Sequence, residues 1–147
     1  MYKVFTLISL TLLVLSSCKK EEDAPVNPLL NWKIGATTYS GTEVKDSIAG
    51  SLYAMATNST FIINYYDSMK NGNYNMVYLP DTAFEMGITV STIIAGNTYY
   101  YTAGLSNIHP VVSLDTANRT VVQVPEMWAY NTFNNKDSVT ISGTITQ

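Results

Sequence analysis

The chain has 147 residues, only 13% of them charged, and a formal net charge of −3 at pH 7. Globular domains typically carry about a quarter charged residues, so this surface depends on neutral polar groups, chiefly Thr, Ser, Asn and Tyr. The acidic balance lacks the basic footprint with which proteins bind nucleic acid, and we expect no nucleic-acid partner.

The first predicted element is a secretion signal at residues 1–17. Lys3 is followed by an uncharged, mostly apolar run from Val4 to Leu15, which is the length of a signal-peptide core and too short to span a bilayer. The run closes with Leu15-Ser16-Ser17-Cys18, which resembles the lipobox of bacterial lipoproteins. The resemblance implies cleavage before Cys18 and a diacylglycerol thioether on its sulfur. The alternative is a plain secretory signal followed by an incidental cysteine.

The second element, residues 18–28, joins this cysteine to the remainder of the chain. Its sequence Lys19-Lys20-Glu21-Glu22-Asp23 is charged and two prolines follow, so we predict a flexible tether. Lysine followed by acidic residues also resembles the signal by which Bacteroidota send lipoproteins to the outer face of the outer membrane. A simple soluble spacer is the alternative. Two or more acyl chains on Cys18 give stable anchoring, so the expected partner is a membrane. With the signal that the tether resembles, the expected location is the outer membrane, lipid-anchored and facing the cell exterior.

Residues 29–147 are long enough for one hydrophobic core, and we predict a single domain. Cys18 is the only cysteine, so the domain uses neither disulfides nor cysteine-bound metal. Apolar and hydroxyl residues alternate most clearly over Ser138 to Thr146, which predicts a half-buried strand. Similar runs predict further strands at Ser51 to Thr57, Thr60 to Tyr66, Tyr74 to Leu79, Gly87 to Ile94, Thr98 to Thr102, Val111 to Leu114, Arg119 to Val124 and Met127 to Thr132.

Turn-forming residues separate these runs, and an opening hairpin is predicted around Gly35-Ala36. No stretch has a sustained helical period. The fold class is therefore all-β, an antiparallel β-sandwich of about eight to ten short strands, with barrel-like closure as the alternative. The residues expected to face the core are Ile88, Val90, Val139, Ile141 and Ile145.

Three segments carry a second resemblance: Asn31-Trp32-Lys33-Ile34-Gly35, the hairpin from Gly50 to Ile63, and Met127 to Asn131 followed by Ser138 to Gly143. Together they look like small Bacteroidota lipoproteins of unknown function. The chain departs from that pattern at Pro125-Glu126-Met127, where such proteins often place glycine and phenylalanine. The resemblance supports the fold and the membrane address, and it implies no catalytic residue.

Every aspartate after residue 29 is followed by Ser or Thr and then by a small or aliphatic residue. This pattern matches the three-residue O-glycosylation acceptor of exported Bacteroidota proteins, in which the hydroxyl carries the sugar. The alternative is that Asp-Ser and Asp-Thr form turns before strands, and exposed turns also accommodate a modification. The candidate acceptors are Ser47, Ser68, Thr82, Thr116 and Ser138.

Aromatic residues supply the one sequence feature that indicates a ligand. Tyr99 and Tyr101 share one face of a predicted strand, and Trp128 lies in another; the further aromatics are Tyr65, Tyr66, Tyr74, Tyr78, Tyr100 and Tyr130. Aromatic rings with Asn neighbours are how many surface lectin-like modules hold sugars. The alternative is that the tyrosines pack in the core with their hydroxyls at its rim.

Residues suited to catalysis or metal binding are sparse. His109 is the only histidine and precedes Pro110 at a predicted strand start, so we expect an ordinary surface or hydrogen-bonded side chain, no metal site and no cofactor. A pair of carboxylates working as acid and base is the remaining enzymatic alternative. The leading hypothesis is a non-enzymatic structural or interaction module on the cell surface, with a polysaccharide or an envelope protein as the candidate partner. The second hypothesis is glycan binding by Tyr99, Tyr101 and Trp128.

Overall fold

The computed structural model describes residues 29–47 and 50–147, and within these ranges it is all-β without a helix. The predicted signal, Cys18 and the tether lie outside the described residues. The described ranges contain twelve strands: β1 (Leu30–Ile34), β2 (Thr37–Ser40), β3 (Glu43–Ser47), β4 (Ser51–Ala56), β5 (Ser59–Tyr65), β6 (Gly72–Asn73), β7 (Asn75–Met76), β8 (Glu85–Ile94), β9 (Asn97–Ala103), β10 (Val111–Leu114), β11 (Thr120–Asn131) and β12 (Ser138–Thr146).

Nine strands form one curled antiparallel sheet in the order β2-β1-β12-β11-β9-β8-β5-β4-β3. Strand β10 pairs with β11 and β6, and the short β7 pairs in parallel with β8. The curl brings β1 and β2 over β5 and β8, so the domain is sandwich-like, as predicted. The Trp32 Nε1–H donates to Ser59 Oγ at 2.8 Å, and the Tyr39 hydroxyl lies 2.6 Å from Thr92 Oγ1.

The core lies between these two halves of the sheet. The Trp32 ring is stacked on Tyr39 and tilted against Phe61, with both ring-centroid distances at 6.1 Å. Four of the predicted inward residues are fully buried, and Val139 is half-buried against the same core. Among the described residues no buried side-chain polar atom lacks a hydrogen-bond partner, so the polar groups inside do not carry an uncompensated desolvation cost.

Three strand predictions were wrong in detail. Strand β3 was not predicted, because its sequence Glu-Val-Lys-Asp-Ser carries charges on both faces and its pairing comes from β4. The predicted strand from Tyr74 to Leu79 is only two residues long, because the chain then leaves the sheet. The two strands predicted on either side of Pro125 are one strand, β11, whose pairing with β12 shifts between Val124 and Met127. Pro125 is tolerated there because a bulge does not need its missing N–H.

Candidate functional site

The β-bulge in β11 decides which side chains reach the surface. Before the bulge the even-numbered Val122 and Val124 are buried, whereas after it the odd-numbered Met127 and Ala129 are buried. A bulge adds one residue to one strand, and the alternation of side chains therefore changes phase. As a result the rings of Trp128 and Tyr130 point away from the core.

The neighbouring strands supply small polar groups on the same outer surface. The register places Thr89 opposite Thr102, and Thr102 opposite Tyr130. The hydroxyl oxygens of Thr89 and Thr102 lie 3.4 Å apart, and those of Thr102 and Thr132 lie 3.5 Å apart. Thr102 therefore places a hydroxyl group on the outer surface beside the Tyr130 ring.

A second set of residues on this outer surface comes from the segment that crosses the outer face of β8. Gly87 is buried although it lies on that outer face, because the main chain at Val77 and Tyr78 passes directly over it. A Cβ at Gly87 would stand 3.0 Å from the carbonyl oxygen of Tyr78 and 3.1 Å from that of Val77. Glycine permits this close approach, and the approach brings the exposed Tyr78 beside Thr102 and Tyr130.

The third contribution to this outer surface is the β11–β12 loop (132–137), which a hydrogen-bond network holds in place. Asp137 Oδ2 accepts hydrogen bonds from the Tyr101 hydroxyl at 3.2 Å and from Asn131 Nδ2 at 3.0 Å. Asn131 Oδ1 in turn accepts from the backbone N–H groups of Phe133 and Asn134. Burial and the negative charge of Asp137 raise the pKa of the Tyr101 hydroxyl, which favours the protonated, hydrogen-bond-donating form of this phenol.

These elements enclose a groove of about 330 Å³, lined by Tyr78, Thr102, Tyr130, Asn131, Thr132 and Asn135, which we call the aromatic groove. Its volume lies at the lower end of the range for small-ligand sites, ~300–1,000 Å³. Within the described residues no hydrogen bond engages the Tyr78 hydroxyl, the Tyr130 hydroxyl or the Asn135 amide. Beside the groove, Tyr100 and Phe133 form an edge-to-face pair with centroids 6.2 Å apart, and Phe133 is 84% exposed.

The aromatic residues selected from the sequence do not come together as one surface. Tyr101 is 4% exposed and belongs to the core, and Tyr99 is half-buried against that core, so neither ring offers its face to a ligand. Trp128 is 57% exposed but lies outside the groove lining. The rings that do line the groove are Tyr78 and Tyr130. The sequence did indicate the orientation of β9, because the small apolar Ala103 lies on the same face as Tyr101 and marks that face as inward.

A second depression, of about 260 Å³, lies on the other part of the sheet. It lies between β1, β2 and β12, and Val124, the β11 residue just before the bulge, also lines it. Its lining comprises Asn31, Trp32, Lys33, Thr38, Val124, Ser142, Gly143 and Thr144. The lining contains one cation, Lys33, and no exposed aromatic face, so it differs chemically from the aromatic groove.

Four of the candidate acceptor hydroxyls are exposed: Ser68, Thr82, Thr116 and Ser138. Ser47 is half-buried at the end of β3 rather than in a turn, and Ile48, the third residue of its motif, lies outside the described residues. Ser138 stands directly opposite Tyr130 and therefore beside the groove. Glycosylation of these hydroxyls stays a prediction.

Three of the five aspartates that precede these hydroxyls, Asp46, Asp115 and Asp137, have structural partners. Asp46 accepts hydrogen bonds from Tyr65 and Gln147, and burial, together with the first of these bonds, raises the pKa of Tyr65. Asp115 accepts from the backbone N–H groups of Ala117 and Arg119, which lowers the pKa of its carboxyl. Turn and network chemistry thus accounts for these three aspartates whether or not the adjacent hydroxyls carry a sugar.

The residues considered for catalysis or metal binding do not converge. His109 is exposed, and its Nδ1 lies 3.2 Å from the Tyr74 carbonyl oxygen, to which the protonated tautomer donates. In residues 29–47 and 50–147 no three His, Cys, Asp or Glu side chains come close enough to hold a metal ion. Neither depression is lined by a carboxylate. In the same ranges there is also no helix with the length and hydropathy to cross a membrane.

Comparison with known proteins gives no relative on which to base a function. No protein-family model, no curated protein and no solved structure matches this chain.

Proposed function

We propose that this chain is a lipid-anchored surface lipoprotein whose β-domain binds a neutral glycan in the aromatic groove. The observation that carries the proposal is the pairing of two exposed tyrosine rings with unengaged hydroxyl and amide groups in one concave site. Sugar rings present an apolar face of C–H groups and an edge of hydroxyls. A site for them therefore needs flat apolar surface and neutral hydrogen-bonding groups together.

The absence of charged lining residues from the aromatic groove supports a neutral ligand. A glycan rich in carboxylates or sulfates would leave its charges without a partner there, which is costly where water is partly excluded. The nearby carboxylate of Asp137 is already engaged by Tyr101 and Asn131. We therefore expect neutral polysaccharides to bind and acidic ones to bind poorly.

The position of the groove supports outward display. The described chain begins beside Leu30, which pairs with Ile145 near the end of β12, whereas Tyr130 pairs with Ser138 at the start of the same strand. Seven residues of strand separate the two pairs, a distance of about 23 Å. An anchor at Cys18 would thus hold the domain from a point well away from the groove. The lipobox resemblance and the Bacteroidota-like tether supply the anchor and the outer-membrane address in this proposal.

Glycan binding can be tested with residues 18–147 carrying Cys18→Ser, so that no lipid is attached. Affinity electrophoresis against soluble glucan, mannan, xylan and polygalacturonate should show retardation by at least one neutral polysaccharide and little by the acidic one. Tyr78→Ala and Tyr130→Ala should each weaken that binding about tenfold, or ~1.4 kcal/mol, as expected for a truncated aromatic anchor.

Tyr66→Ala is the matched control, because Tyr66 is an exposed tyrosine outside the groove. Retention that survives the combined Tyr78→Ala and Tyr130→Ala variant would overturn the assignment of the site. Protease treatment of intact cells tests the address separately, since a chain that faces outward is removed and one that faces inward survives.

A second candidate is recognition of an envelope protein by the same surface. The exposure of Phe133 and its pairing with Tyr100 favour it, because exposed aromatic clusters are enriched where proteins meet. Retention of a defined outer-membrane protein, lost on Phe133→Ala and kept on Tyr78→Ala, would support this candidate against glycan binding.

A further inference from the structure

The turn between β8 and β9 is an exposed aliphatic projection. Ile93 is 46% exposed and Ile94 is 53% exposed, and Ala95 and Gly96 complete the turn. We call these four residues the hairpin tip. No charged residue occurs between Thr92 and Thr98, so the tip presents apolar side chains to solvent without a charge close by in sequence.

Turn chemistry does not account for this composition. Both central residues have positive φ, 50° at Ala95 and 81° at Gly96, which is the geometry that two-residue hairpins usually fill with Asn-Gly or Asp-Gly. Alanine is strained in that region because its Cβ crowds the backbone, and it has no polar group to hydrogen-bond with the turn. The chain thus has an apolar residue where asparagine would fit with less strain.

The hairpin tip lies at the end of the domain where the chain enters it. The Leu30 carbonyl accepts from the Gly41 N–H, and the next residue, Thr42, donates to the Met55 carbonyl. Met55 adjoins the β4–β5 turn, where the Asn58 carbonyl accepts from the Ile93 N–H. Three backbone hydrogen bonds therefore connect the start of β1 to the hairpin tip.

We propose that the hairpin tip contacts the lipid surface to which the chain is anchored. This inference rests on the lipid anchor at Cys18 in the proposed function, and not on glycan binding. Residues 18–28 connect the anchor to Leu29, which is 57% exposed beside the same end of the domain. The sequence predicts a flexible tether here, and a flexible chain of this length would have a root-mean-square span of about 18 Å, short enough to hold the tip against the membrane without extension.

The chemistry of the hairpin tip fits a lipid surface better than a protein groove. It offers aliphatic side chains with no aromatic or charged group to set a specific partner geometry. Two isoleucines alone are a weak membrane signal, whereas a weak apolar contact combined with a lipid anchor adds to a stable association. The contact would also fix the orientation of the domain, with the aromatic groove about 17 Å further along the β8–β9 hairpin.

The test uses the lipidated chain in vesicles of phosphatidylethanolamine and phosphatidylglycerol. Because the thiol of Cys18 is consumed by the lipid, Asn97→Cys and Asn135→Cys each provide a single free thiol for a polarity-sensitive fluorophore. Residue 97 adjoins the hairpin tip, and residue 135 lines the aromatic groove. Doxyl-labelled lipids should quench the label at 97 at least about twofold more than the label at 135, since interfacial contacts reach ~5–10 Å into the bilayer.

Ile93→Ser combined with Ile94→Ser, in the chain labelled at 97, should reduce quenching to the level of residue 135. Equal quenching at the two sites in wild-type protein that floats with the vesicles would overturn the tip contact while leaving the anchor in place. Protein that fails to float would instead refute the anchor. Shielding of the fluorophore at residue 97 from water that increases with protein concentration and needs no vesicles would show that the hairpin tip contacts a second copy of the chain. That result would overturn the proposal.

Discussion

The aromatic groove and the hairpin tip are both exposed apolar surfaces, yet their chemistry differs. The groove combines tyrosine rings with unengaged hydroxyl and amide groups in a concave site. The tip has isoleucine side chains on an exposed turn, and no charged residue lies between Thr92 and Thr98 in the sequence. Aromatic rings with polar neighbours favour an oriented ligand, whereas bare aliphatic groups favour a contact without direction.

The β8–β9 hairpin connects the two surfaces. The hairpin tip is its turn, and Thr102, which pairs with Thr89 five residues before Ile94, lines the aromatic groove. A change at one end should therefore leave the other intact, because sites this far apart behave almost independently. Substitutions confined to one surface therefore test whether the two act separately.

Gly87→Val should have the largest effect. The new side chain meets the main chain of Val77 and Tyr78, and overpacking of this kind costs about 1–3 kcal/mol. Urea unfolding should show the loss of stability, and glycan binding should fall because Tyr78 is displaced. Ser91→Val, on the same outer face of β8, is the control. Normal glycan binding by Gly87→Val would show that Tyr78 does not position the ligand.

Tyr101→Phe should have a moderate effect, confined to the part of the domain that carries the aromatic groove. It removes the hydroxyl that donates to Asp137, which should lower the free energy of unfolding by about 1 kcal/mol. Hydrogen exchange should accelerate in the β11–β12 loop (132–137) and stay unchanged at the hairpin tip. Tyr99→Phe is the matched control, because no hydrogen bond of the described residues uses the Tyr99 hydroxyl. Equal effects of the two substitutions would contradict the network.

Ile94→Ser should leave the soluble domain almost unchanged. Its side chain is more than half exposed, so the free energy of unfolding should change by no more than about 0.5 kcal/mol. Glycan affinity should also stay at the wild-type value. A large loss of stability in urea unfolding would show that the tip is part of the core, and the lipid contact would lose its basis.

Acidification should have the smallest effect, at the segment that carries Tyr78. Glu85 Oε2 accepts from the backbone N–H groups of Asp81 and Thr82, and these bonds lower the pKa of its carboxyl from 4.5. The folded-state pKa thus lies below the unfolded one. The stabilisation is present above pH 4.5 and is lost as the pH falls through the folded-state pKa.

Glu85→Gln removes this titration, so the loss of stability on acidification should be smaller in the variant than in wild-type protein. Urea midpoints measured from about pH 6 down to pH 3 provide the comparison. Identical pH profiles would mean that the Glu85 carboxylate does not stabilise the backbone at Asp81 and Thr82.

Much of the fold could be predicted because apolar alternation directly reflects burial. Ser138 to Thr146 forms β12, and the inward positions Ile141 and Ile145 are buried as expected. Strand β3 could not be predicted in this way, since it is an edge strand whose side chains are mostly exposed. Its position follows from backbone pairing with β4, and backbone pairing leaves little trace in composition.

The site was harder to predict than the fold because alternation shows which residues share a face, and not which face is inside. Tyr99 and Tyr101 do share a face, but it is the inner one. The outward placement of Tyr130 depends on the bulge at Pro125, and that of Tyr78 depends on the space left by Gly87. Both are tertiary effects between segments distant in sequence.

The most direct test of the central claim is a heteronuclear NMR titration of residues 18–147, carrying Cys18→Ser, with a neutral oligosaccharide from the polysaccharide that binds. Chemical-shift changes should concentrate at Tyr78, Thr102, Tyr130, Thr132 and Asn135, with none at Ile93 and Ile94. Changes centred instead on Asn31, Lys33 and Ser142 in the second depression, or at the hairpin tip, would contradict that claim.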